Sequence, residues 1–502
     1  MNYADTEESP SAHSDRTVVI GAGPAGLTAA YALAKAGQRV LVLEADETYV
    51  GGISRTVLYH GFRFDIGGHR FFSKSAEIEA LWTEILGAEM LTRPRLSRIY
   101  YRGQFFAYPI RAVETLRKLG VVEATRCLAS YVKARLSPVR NPKSVEEWVT
   151  NQFGRRLYEM FFKTYTEKVW GLSCRDISAD WAAQRIKGLS LSTTIAEALR
   201  RVFGRRDSRR VAKSLIESFR YPRLGPGMMW EACRDAIVSR GGEVRLGHRV
   251  ERIRQEADGT WLVDAIRADG TRVALPARHV ISSAPLADLL PALVPAAPRA
   301  ALDAAAQLHY RDFLTVALMV RGAPSIPDNW LYIHEPQVKV GRVQNYRAWS
   351  EAMVPDADIA CYGLEYFCFE GDGLWTSTDA KLIQLGTDEL RQIGLLGVGE
   401  VVDGCVVRQR RAYPVYDSVY TQHIDVIKAA LRAYPRLQIV GRNGMHKYNN
   451  QDHSMMTALL AAKNIIEDQA IFDVWAVNQD AEYHEETTGA SGERFVPQRV
   501  EA

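Results

Sequence analysis

The chain has 502 residues, of which 47% are hydrophobic and 24% charged, with a formal net charge of +4 at pH 7. That length exceeds one small core, so two or more interleaved domains are expected, and the composition excludes extensive disorder away from the ends. The slight positive charge excludes a nucleic-acid surface built on a basic stripe, but leaves room for arginines gathered in a pocket for a small anion.

The six cysteines, Cys127, Cys174, Cys233, Cys361, Cys368 and Cys405, are scattered without CxxC pairs or matching histidine spacing. They read as reduced thiols of a cytoplasmic protein, with neither a disulfide frame nor a zinc site, and no metal is expected. Residues 1–15 are polar and acidic, which fits a disordered start and not a secretory signal. The longest apolar run, "TVVIGAGPAGLTAAYALA", is broken by glycines and Pro24, so no membrane insertion is expected.

"RTVVIGAGPAGLTAAYALAKAGQRVLVLEA" predicts a buried strand, a glycine turn, a helix and a second strand ending at Glu44. In that context Gly21 makes the turn, Gly23 lets the backbone approach a pyrophosphate, and Gly26 lets helix pack on strand. The helix N-terminus would receive phosphate, and Glu44 would accept hydrogen bonds from a ribose. A second glycine loop follows at once, "ADETYVGGISRT", with Gly52, Ser54 and Arg55. Two such loops in succession suit a long ligand, FAD, better than a nicotinamide dinucleotide. Next comes "RFDIGGHRFFSKS", which has two readings: a surface turn exposing His69 and Arg70, or a close backbone approach at Gly67 and Gly68 that sets His69 on a flat ligand.

From Ser144 to Gly204 the pattern is helical and aromatic, with a Ser-x-x-Glu box at Ser144 and Glu147, and with Trp170 near its middle. Arg185 falls here, between a surface position and a pocket. "GGEVRLGHRVERIRQEADGTWLVDA", containing Val250, reads as a strand, a loop and a hairpin, and "ARHVISSAPLADLL" as a strand returning to the sheet. From Leu308 to Arg411 the pattern turns to strands, where Trp330, Tyr332, Arg342 and Tyr413 mix rings with cations. That mixture suits either a nucleic-acid stacking platform or a pocket for a sugar joined to a diphosphate, and the low net charge favours the pocket. "RLQIVGRNGMHKYNNQDHSMMTALLAAKNIIED" closes the fold with a strand, a polar loop and a long helix.

The expected class is α/β: a GxGxxG Rossmann-like FAD-binding domain from residues 16–95, 222–300 and 436–475, a helical insertion at 96–221, and a mixed or antiparallel β-sheet substrate domain at 301–435. Residues 476–502 form a tail.

The glycine-glycine-histidine after "FD", "YPI" at Tyr108 to Ile110, "KVWGLS", "ADWAAQRI", "NWLYIHEP" followed by Arg342, "AYPV" and "GRNG...NNQDHS" stand in the order seen in UDP-galactopyranose mutases. The chain resembles that family, especially its eukaryotic-type branch, within the FAD-dependent amine oxidase and protoporphyrinogen oxidase-like superfamily. The resemblance covers nearly everything after the first 15 or so residues. It implies non-covalent FAD that is active when reduced, with NAD(P)H as a candidate reductant. It also implies a nucleotide diphosphate sugar as substrate: N5 of the flavin attacks the anomeric carbon, the diphosphate leaves, and the sugar recloses as a furanose. By position, Arg185 and Arg342 match the diphosphate-binding arginines and His69 the histidine at N5. Tyr108, Trp170, Trp330, Tyr332, Tyr413 and Tyr448 match the substrate pocket; Arg442, Asn450, Gln451, Asp452 and Ser454 match the cofactor and sugar contacts. On this reading His69 faces the flavin, while Arg70 is a salt-bridged or solvent-facing side chain.

Two departures stand out: the loop from Arg442 to Asn450 is shorter than the family pattern, and Arg111 replaces a neutral polar residue. The closing "DVWAVNQDAEYHEE" resembles bacterial flavin-dependent oxidoreductases. An oxidoreductase or desaturase of the amine-oxidase type is therefore the alternative, and a non-catalytic binder the third reading. The oligomeric state is left open, a homo-oligomer included.

Overall fold

The computed structural model describes residues 15–478 apart from 109, 111, 180–217, 325 and 418. Arg111, Arg185 and nearly all of the expected tail therefore lie outside the described residues.

Thr17–Ile20 is the middle strand of a five-stranded sheet, with His279–Ser282 and Leu437–Ile439 to one side and Val40–Leu43 and Glu243–Arg245 to the other. All four pairings are parallel. "TVVI" and "VLVL" are buried throughout, as strands of a parallel sheet covered on both faces must be. The helix Pro24–Lys35 leaves the central strand and packs on Gln451–Ile466 and Gly227–Val238. One apolar core joins these pieces, from Val18 and Leu27 through Trp82 and Trp230 to Ile281 and Leu459. The chain order reverses on either side of Thr17–Ile20, so a crevice opens at the carboxyl ends of the strands, where ligands bind in such sheets.

A second sheet has seven strands: Glu400–Pro414, Tyr310–Arg321, Ile359–Cys368, Arg342–Asn345, Trp330–Ile333, Ser97–Tyr101 and Gln104–Ala107. Its register sets Arg342 between Tyr332 on one neighbour and Glu365 on the other. Two of these strands come from the stretch read as helical. They meet through Arg102 and Gly103, both at positive φ (50° and 72°), a hairpin turn that Arg-Gly signals less clearly than Asn-Gly does. The expected β-sheet domain, 301–435, also holds the helices Asp379–Gln392 and Tyr420–Leu431.

The helical side begins with Ala112–Leu136, kinked at Gly120, and continues in Val145–Phe153, where the Ser144 and Glu147 side chains form the reciprocal cap. A π-helical turn over Glu159–Lys163 precedes Thr164–Trp170. Such turns re-aim side chains within a helix, and this one lies beside the larger cavity.

Candidate active site

At the carboxyl end of the parallel sheet lies a cavity of about 420 Å³ lined by Gly21, Gly23, Glu44, Gly52, Ser54, Val250, Arg442 and Ser454, among others. The three glycines of the first loop do different things. A Cβ on Gly26 would sit 1.9 Å from the Gly21 carbonyl, so this glycine fixes how closely helix meets strand. Gly21 has φ +95°, and its missing Cβ leaves space for the Ser283 hydroxyl. A Cβ on Gly23 would meet nothing within 4 Å, because that position faces the cavity. The second loop is tied to the first by the bond from the Gly51 amide to the Ala22 carbonyl at 2.8 Å. The Glu44 carboxylate accepts from the amides of Ala22 (2.6 Å) and Asp46 (2.9 Å), which holds it at the strand end.

A larger cavity of about 820 Å³ adjoins it, lined by Tyr108, Trp170, Trp330, Tyr332, Arg342, Tyr413, Tyr448, Asn450 and Asp452, among others. His69, Arg442 and Gln451 line both cavities and so mark where they meet. Tyr413 and Tyr448 stack at 5.6 Å, and Arg442 lies 5.4 and 5.3 Å from their ring centres. Arg442 is fixed from behind by the carbonyls of Asn449 and Ala412. Tyr332 meets Tyr108 at 4.6 Å and Tyr165 edge-on at 5.4 Å.

Arg342 is the dominant charge of this wall. Its Nε pairs with Glu365 Oε2, and its terminal nitrogen donates to the Tyr413 hydroxyl at 3.0 Å. Burial opposes the Arg342 charge, but Glu365, Tyr413 and Tyr165 outweigh it and hold the guanidinium protonated far above its ordinary range. Glu365 is completely buried and also accepts from Gln344 Nε2 at 2.6 Å, while Trp349 Nε1 donates to Gln344 Oε1 at 3.0 Å. The same Gln344 lies beside Gly68, where a Cβ would come within 2.9 Å of its amide nitrogen. The cation, the glycine pair and His69 are thus one packed unit.

His69 is half-buried where the two cavities meet, with Arg442 and Arg342 near it. Burial, then the Arg442 and Arg342 charges, push its pKa down to about 3, so the ring is neutral in ordinary buffers. Its Nδ1 is buried without a well-formed hydrogen bond.

Most of the residues singled out from sequence converge on these two cavities. Gly26 and Gly67, the latter at φ +89°, shape the backbone without lining either. Arg55 lines neither; its NH1 pairs with Asp46 at 3.2 Å. Arg70, expected to be salt-bridged or solvent-facing, lines the larger cavity, and Gln451 Nε2 donates to its carbonyl at 2.9 Å. Glu365, Gln344 and Tyr165 were missed. For Glu365 the signal was present: one carboxylate inside the otherwise uncharged strand "IACYGLEYFC". Tyr165 is one ring among many in its segment, and its sequence does not set it apart.

The family model for flavin containing amine oxidoreductases matches residues 24–466. The chain belongs to that family. A probable UDP-galactopyranose mutase of Klebsiella pneumoniae is 27% identical over 175 residues, which is 32% of this chain and 42% of that protein, so less than half of that relative is spanned. Among solved structures, a reduced UDP-galactopyranose mutase superposes with TM-score 0.77 at 23% identity, over 90% of this chain and 96% of the other. A putative protoporphyrinogen oxidase from Exiguobacterium superposes with TM-score 0.67 at 19% identity, over 91% and 98%. Wild-type putrescine oxidase bound to putrescine gives 0.60 at 17%, over 90% and 99%.

The protein is a flavin-dependent enzyme of the amine oxidase superfamily, with the mixed α/β fold expected from its sequence. The smaller cavity fits FAD on its own chemistry: a glycine cradle that side chains would fill, a helix N-terminus, a fixed carboxylate at the strand end, and buried orphan atoms at Asn443 Oδ1, Gln451 Oε1 and His69 Nδ1. No group of acidic, histidine or cysteine residues able to hold a metal occurs among the described residues.

Proposed function

We propose that this enzyme interconverts pyranose and furanose forms of a nucleotide diphosphate sugar. The observation that carries the proposal is Arg342: a permanently charged guanidinium, paired from behind by a buried carboxylate, faces the larger cavity near His69, one of the three residues that join it to the flavin cavity. A desolvated cation at that place would harm an oxidase or desaturase of apolar substrates, whereas a departing diphosphate requires it. Bound FAD, in its reduced form, supplies the nucleophile for such a reaction.

The chain's own residues then do the following. Arg342 and the hydroxyls of Tyr413, Tyr332 and Tyr448 hold the diphosphate and receive its developing charge, with Arg185 as the second cationic partner. Neutral His69 presents a ring nitrogen for hydrogen bonding at the reacting face without adding charge there. Gly21, Gly23, Gly52, Ser54, Val250 and Ser454 hold the cofactor, and Glu44 its ribose. Arg442, Asn450, Gln451 and Asp452 border the sugar and flavin, and Trp170, Trp330 and Tyr108 close the pocket around the nucleotide. A nicotinamide dinucleotide is the candidate reductant.

The second reading is hydride removal by oxidised flavin, favoured by the family match and by the amine oxidases among the structural relatives. Titration of the oxidised holoprotein with nucleoside diphosphates separates the two. The mutase reading predicts a perturbed flavin spectrum that is lost in Arg342→Ala with FAD retained. An unperturbed wild-type spectrum, or full binding by the variant, would remove the diphosphate clamp.

A further inference from the structure

We propose that the outward face of the helix after the Gly120 kink docks on an anionic lipid surface. Gly120 adopts φ +80° and ψ 162°, so the segment from Val121 to Leu136 starts a new direction. Its inner face is ordinary: Cys127 and Ala134 are buried, and Gly154 packs against the backbone of Ser130 and Tyr131. Its outer face is not. Val121 (85% exposed), Leu128 (49%), Val132 (46%) and Leu136 (79%) follow at intervals of seven, four and four residues, which places them on one stripe, with Val122 (67%) at its margin. With Val139 these are six of the fifteen large hydrophobic side chains exposed among the described residues, gathered within nineteen residues of chain.

The charge around the stripe selects the occupant. Between residues 112 and 143 there are seven basic residues, Arg117, Lys118, Arg126, Lys133, Arg135, Arg140 and Lys143, against two acidic ones. Both acids are already engaged, Glu114 with Lys118 and Glu123 with Arg156 and Arg126. An apolar stripe flanked by lysine and arginine is the pattern of a helix lying in the headgroup region of an anionic bilayer. No described helix is long and apolar enough to cross one. The link to the site runs through the first arm of the kinked helix: Ile110, which lines the larger cavity, stands two residues before Ala112, and that arm leads through Gly120 to the docking segment.

Vesicle flotation of the FAD-loaded full chain tests this, with phosphatidylglycerol-containing and pure phosphatidylcholine vesicles at low and high salt. The proposal predicts binding to the anionic vesicles only, weakened by salt, and at least tenfold less bound protein for the combined Val121→Glu, Leu128→Glu and Val132→Glu variant. A Lys133→Glu, Arg135→Glu variant should lose binding while the apolar stripe stays intact. Equal binding to both vesicle types, or none, would overturn it. So would a fall in the melting temperature of the first variant, which would mean that the chain itself covers the stripe, or its conversion from dimer to monomer, which would mean that a second copy does.

Discussion

At the scale of the residue, the site turns on one ion pair. Glu365 is inaccessible and Arg342 is partly open to the larger cavity (18% exposed), and leaving a buried carboxylate unpaired is costly. Glu365→Ala should lose about 3–5 kcal/mol in denaturant unfolding, and an unchanged midpoint would show that Arg342 is not stabilised through it. Arg342→Ala should lower turnover at least about a hundredfold with FAD still bound, the effect of removing a charge-stabilising donor from a dry site. His69→Ala tests a separate role. Its melting temperature should stay near that of the parent while its reduced-flavin turnover falls, and a parallel fall in both would make His69 structural.

At the scale of the element, the glycine loop divides into packing and approach. Gly26→Ala forces a methyl group into the Gly21 carbonyl and should cost about 3 kcal/mol. Gly23→Ala adds its methyl to open space, so the apoprotein should melt as the parent does while FAD affinity drops. Equal losses of apoprotein stability in the two variants would contradict the division. Much of this was legible in the sequence, because GxGxxG between apolar strands has few alternative folds, and "GGH" and "NQDHS" carry local backbone and capping demands. What was not legible depends on pairing between distant strands. Only the register of Arg342–Asn345 against Ile359–Cys368 sets Glu365 beside Arg342, and a strand's own pattern does not name its neighbour. The hairpin Ser97–Ala107 was missed for the same reason, and the place of Arg70 beside the larger cavity depends on how Gln451–Ile466 docks.

At the scale of the whole molecule, four histidines are held neutral, chiefly by burial: His69 and His334 to about 3, His279 and His446 to about 4. The unfolded chain protonates these rings near the ordinary value of 6.5, so between that pH and about 4 it binds more protons than the folded chain does. Stability should fall as pH drops through this window. Asp65 acts the other way: burial raises it to about 8, so the folded state keeps a proton that the unfolded state releases near 4, and stability falls as pH rises toward 8. With four groups against one, melting temperature should drop steeply below pH 6 and only gently above it, and a profile flat from pH 7 to 4 would contradict the buried histidines. The central claim is the reaction itself. Its most direct test is anaerobic incubation of the purified flavoprotein with nucleotide sugars, with and without dithionite, following flavin absorbance and product ring form. The account predicts furanose product only with reduced flavin and no net consumption of electrons; bleaching of oxidised flavin by the substrate, with no isomer formed, would contradict it.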